Sequence, residues 1–124
     1  MGETWRYGDD AGPVTADGAV RLLRGRISGG LLETWLTSSS GRRLAVVSNG
    51  ARAMVMLLDD EDDPGAHAAD PGAEGQSGGY VLMNGQCDEY PDADTVPLAE
   101  ALRIARHLLD SGTPPPEMPW AVDR

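Results

Sequence analysis

The chain has no lysine, no phenylalanine, one cysteine and two histidines in 124 residues. Each shortage excludes something. A single cysteine, Cys87, rules out an internal disulfide framework and agrees with a reducing compartment. Two histidines and one cysteine, with no ligand spacing among them, leave no zinc site. Cations are scarce as well: ten arginines stand against twenty acids, for a net charge of −10. Such a surface repels nucleic acid, whose binders carry basic stripes to neutralise phosphates. No apolar run approaches the ~18 residues of a membrane-spanning helix, and no basic region followed by an apolar core opens the chain. The expectation is one cytoplasmic domain over residues 1–124, with no nucleic acid and no membrane among its partners.

What the chain does have is concentrated in its last third. Tyr80-Val81-Leu82-Met83 reads as a short strand, and Asn84-Gly85 is the dipeptide that two-residue type I′ turns favour. Gln86 to Tyr90 returns as the partner strand, which Pro91 ends. A helix follows with Pro97 at its first position, where the missing N–H costs nothing. Leu98, Ala101, Leu102, Ala105, Leu108 and Leu109 form its apolar stripe. Arg106 and Asp110 stand at i,i+4 on the other face. Gly112 ends the helix and Pro114 prevents its resumption. Pro114 to Pro116 then extend the chain toward Trp120.

This stretch, DEYPDADTVPLAEALRIARHLLDSG followed by PPPEMPW, resembles the C-terminal part of an immunity-protein family. It is the family numbered one of bacterial polymorphic toxin systems, often paired with deaminase-fold toxins. The family pattern is an acidic-aromatic-proline turn, a V-P-L-x-E-A helix start, an A-R-x-x-L helix end, then T/S-G-x-x-P and a tryptophan. Here these are Asp88 to Pro91, Val96 to Ala101, Ala105 to Leu109, Ser111 to Pro115, and Trp120. The resemblance implies an antidote that binds and neutralises a cognate toxin.

The first half supplies the rest of the fold. Trp5-Arg6-Tyr7 is a candidate edge strand or a frayed terminus. Thr15 offers an N-cap, with Asp17 in the first turn, for a short helix whose apolar face is Ala19, Val20, Leu23 and Ile27 and which closes at Gly29-Gly30. Strands follow at Leu31 to Thr37, Arg43 to Ser48 and Arg52 to Leu58, the last two joined by a second hairpin dipeptide, Asn49-Gly50. The 52–58 strand is apolar on both faces, so it is expected to be central and covered on two sides. Helix, three strands, two strands, helix gives an α+β domain: a mostly antiparallel sheet of about five strands with two helices packed on it.

Residues 59–79 are polar, with acids, glycine and proline but no apolar period, and read as a mobile acidic loop. Asp59, Glu61 and Asp63 mimic the first positions of a calcium loop. Pro64 stands where that loop needs glycine, and Asp70 where it needs glutamate, so no metal is expected. Cys87 and His107 carry no catalytic signature, and a half-buried cysteine with an exposed histidine is the expectation. No enzyme and no cofactor are predicted.

The candidate partner-binding residues are therefore acids and aromatics. Asp59, Asp60, Glu61, Asp62 and Asp63 lie in the loop, and Asp88, Glu89, Asp92 and Asp94 surround the second hairpin. Tyr90 would add a rigid amphipathic contact. Trp120 is either a plug at the edge of the core or an interface anchor, and Trp35 is a second apolar candidate. A negative surface steers a basic protein partner. The competing reading is a small acidic adaptor that takes a peptide along an exposed sheet edge.

Overall fold

The computed structural model describes residues 3–8, 12–60 and 62–122. Two α-helices pack against one face of an antiparallel sheet, and a separate hairpin lies on the other. Helix α1 (Ala16–Ser28) starts where Thr15 caps it, the Thr15 side chain accepting from the Gly18 amide at 2.9 Å. Helix α2 (Leu98–Ser111) ends at Gly112, whose φ of 83° is the left-handed cap that glycine adopts without strain. Pro97 stands just before α2 and not at its first turn, because it belongs to a strand that pairs with Arg52. Arg106 does not pair with Asp110. Its Nη2 reaches Asp17 Oδ1 at 2.9 Å and ties α2 to α1, a solvent-screened contact of small energy.

The sheet holds eight strands among the described residues, not about five. The expected β3 (Glu33–Ser38), β4 (Arg43–Ser48) and β5 (Arg52–Leu58) form its centre. Around them stand β1 (Trp5–Arg6), β2 (Pro13–Val14), β6 (Ala66–Ala68), β9 (Val96–Pro97) and β10 (Trp120–Val122). These five have two or three residues each, too few for an alternating pattern to appear in a sequence. The order is β10-β6-β5-β4-β3-β1-β2, with β9 also pairing β5. The hairpin β7 (Gln76–Val81) and β8 (Cys87–Pro91) forms its own two-stranded sheet.

Alternation sorts the side chains. Trp5, Leu36, Leu44, Val46, Ala53, Val55 and Leu57 face the helices and join Leu23, Ile104 and Leu108 in the core. On the other face, Trp35 stands opposite Ala45, which stands opposite Met56. Ala45 and Val47 are buried there although they lie outside that core, and Met54 and Met56 are half-buried. Both faces of β5 are thus covered, as its composition requires. The stretch 59–79 carries β6 and the start of β7, with Ala66 and Ala68 buried.

Both Asn-Gly turns differ from type I′, since among the described residues, both asparagines included, only glycines have positive φ. At Asn84-Gly85 only Gly85 is left-handed, and the loop closes with Gly85 N donating to Leu82 O and Leu82 N to Gln86 O. This is a longer hairpin loop whose glycine takes the left-handed position.

Candidate partner-binding surface

The acidic run after β5 is folded by its own carboxylates. Asp63 accepts from the Asp59 amide at 2.8 Å and the Gly65 amide at 3.0 Å, and Asp60 accepts from the Asp62 amide at 2.9 Å. Gly65 has φ of 92°, and a Cβ there would meet Leu57 O at 3.0 Å, so only glycine lets the run turn back into β6. Asp59, Asp60 and Asp62 are exposed and Asp63 is half-buried. Glu61 lies outside the described residues.

The second acidic group is set by the β7–β8 hairpin. Its register slips between Ser77 and Tyr80, where Gly78 and Gly79 oppose a single residue of β8 and bend the strand. Asn49 Nδ2 donates to Gly78 O at 3.0 Å and pins this bend to the β4–β5 turn. On β8, Asp88 accepts from Tyr90 Oη at 3.0 Å and from Gln86 Nε2 at 2.7 Å. Tyr90 packs on Tyr80 with ring centroids 4.7 Å apart. Burial, and then the bond to Asp88, push the Tyr90 phenol up to about 12. Glu89 alternates to the exposed side of β8.

Asp92 and Asp94 sit on the single 3-10 turn Asp92–Asp94 that links β8 to β9. Both are engaged within the chain. Asp92 Oδ1 accepts from Ser77 Oγ and lies 3.9 Å from Arg52 Nε. Asp94 Oδ1 lies 3.1 Å from His67 Nε2 on β6. Trp120 is half-buried, pairs with Ala68 as the first residue of β10, and packs against the core. It therefore closes the sheet edge with part of its indole still in solvent.

The predicted residues thus separate by what holds them. The loop acids support one another's backbone, Asp88 joins Tyr90, and Asp92 and Asp94 bind groups on β5 and β6. The residue that composition did not single out is Arg52, the hub between them, whose only signal is a lone cation opening an otherwise apolar strand. Cys87 is exposed and His107 half-buried, the reverse of expectation. His107 Nδ1 donates to Thr113 O at 2.8 Å, which spends the ring on finishing the helix end. Neither helix is long and apolar enough to cross a membrane.

A family model described as Immunity protein Imm1 matches residues 8–122, which takes in both helices and every strand after β1. A search of curated proteins returns no match.

Proposed function

The chain belongs to the Imm1 family of immunity proteins, and from that membership we propose that it is the cytoplasmic antidote to a toxin acting on nucleic acid, such as a deaminase-fold domain. The observation that carries this reading is a chain of net charge −10 with exposed carboxylates on two separate elements, Asp59, Asp60 and Asp62 after β5 and Glu89 on β8. A toxin that grips a polyanion presents cations and a desolvated groove. Carboxylates held by a folded scaffold cover that groove without supplying anything to react. Asp88 and Tyr90 add a contact already ordered by their mutual hydrogen bond, so docking costs less side-chain entropy. Asp92 and Asp94 shape the scaffold and face the toxin with whatever charge their internal partners leave.

Surface-plasmon kinetics against the toxin domain encoded beside the gene test the reading. Association should slow as salt rises, because the Debye length is only ~8 Å at physiological ionic strength. The double change Asp60→Asn, Asp62→Asn should lower mainly the on-rate, while Glu89→Gln should raise the off-rate. Binding indifferent to salt and to all three substitutions would remove charge from the mechanism.

A further inference from the structure

The sheet face opposite the helices is not wholly covered by the β7–β8 hairpin. Beside the hairpin tip lies an open cleft of ≈ 370 Å³, lined by Arg6, Tyr7, Gly8, Trp35, Thr37 and Met83. Its volume is within the range of ligand-sized clefts, roughly 300–1,000 Å³. Met83 is 71 % exposed, and Leu31 (52 %) and Val81 (40 %) continue the apolar surface along the hairpin tip.

Trp35 is fixed in this cleft from two sides. Its Nε1–H donates to Glu33 Oε2 at 2.8 Å, while Glu33 Oε1 accepts from the Met83 amide at 2.9 Å, so one carboxylate couples the indole to the hairpin tip. The Arg43 guanidinium lies 4.6 Å from the ring centroid. An indole held this way loses little freedom on binding, and tryptophan with arginine and methionine is the composition of interface hot spots.

Charge selects the occupant. Arg42, Arg52, Arg103 and Arg106 each pair with a carboxylate, whereas Arg6 and Arg43 pair with none among the described residues. Arg21, Arg24 and Arg26 also lack a carboxylate partner but belong to α1, on the opposite face of the sheet, and Arg26 is engaged there by Thr34 Oγ1 and the Glu33 carbonyl. In a strongly acidic chain, two cations with no carboxylate partner among the described residues therefore flank the cleft that presents Trp35 and Met83.

We propose that this cleft is a second contact for the toxin, receiving a toxin segment that carries an apolar side chain next to a carboxylate. The identity of the partner rests on the immunity reading; the surface and the chemistry it selects do not. The acidic run and this cleft are neighbours, since Thr37, Gly41, Arg43 and Asp60 line one adjoining hollow. Two adjacent contacts of opposite sign fix the toxin in one orientation, which a uniform negative surface cannot do.

The test is calorimetry and surface-plasmon kinetics of the full chain with the toxin domain encoded beside its gene. Met83→Asp and Arg6→Glu change exposed side chains, so both should melt as the wild type does. Met83→Asp should weaken binding ~30-fold or more, mainly through the off-rate, as expected for a hot-spot residue. Arg6→Glu should weaken it ~5-fold through the on-rate, and Met83→Leu should bind as wild type. If the wild type binds and both charge-introducing variants bind equally well, the cleft is not a contact and the immunity reading stands. If the folded wild type does not bind, the immunity reading falls and this inference with it.

Discussion

Arg52 Nη2 lies 2.8 Å from Asp70 Oδ2, a bond between the first residue of β5 and the chain that follows β6. The same nitrogen donates to the carbonyls of Asp92 and Thr95 at 3.0 Å, and Nε donates to Thr95 Oγ1 at 2.8 Å. One guanidinium thus holds three segments that sequence order separates, and with them the base of the β7–β8 hairpin on which Asp88, Glu89 and Tyr90 ride.

Arg52→Ala should lower stability by about 2–4 kcal/mol, because it strands Asp70, Asp92 and two carbonyls in a partly buried place. Urea denaturation measures it. A loss under about 0.5 kcal/mol would mean that water replaces the guanidinium without penalty.

Tyr80 is completely buried, and its hydroxyl finds no hydrogen-bond partner among the described residues. The neighbouring Thr95 Oγ1 already accepts from Arg52 and donates to Asp92 O. Tyr80→Phe keeps the packing on Tyr90 and removes an unsatisfied group, so it should be neutral or raise stability by about 1 kcal/mol. A clear drop in melting temperature would contradict this.

The Glu3 carboxyl is held at about 2, against an ordinary 4.5, chiefly by its hydrogen bond with Arg42, which outweighs the opposing effect of burial. A lowered folded-state pKa means that the stabilisation is complete above about pH 4.5 and is lost as pH falls toward 2. With solvent screening it amounts to about 1 kcal/mol. Glu3→Gln should cost that much at neutral pH and flatten the acid limb of a stability–pH curve between those values.

Tyr90 should ionise near pH 12, which ultraviolet titration reads directly. Its pKa is raised in the fold, so the associated stability is intact below pH 10 and declines as pH rises through 12. Asp88→Asn should bring the phenol down only part of the way, because burial is the larger cause.

Local signals account for the parts of the fold that were legible. Thr15 and Gly112 mark helix ends by hydrogen bonding and φ, and the apolar runs of β4 and β5 bound those strands correctly. What the sequence concealed depends on partners far along the chain. Ala66-His67-Ala68 becomes a strand only because Met56 and Leu57 offer an unpaired edge. Val96-Pro97 does so only because Arg52 and Ala53 do.

The candidate site was legible as charge but not as roles. Asp60 and Asp92 look alike in a sequence, and they diverge because Arg52 reaches the segment of Asp92, 40 positions along the chain. Trp35 was visible as an aromatic. Its cleft was not, since Tyr7 and Met83 come to it from segments far apart in the chain.

The deciding measurement is growth of cells that express the cognate toxin, with and without the full chain. The account predicts that the wild-type chain restores growth and that Met83→Asp combined with Asp60→Asn and Asp62→Asn restores it poorly although it folds normally. Full toxicity in the presence of abundant, folded wild-type protein would contradict it.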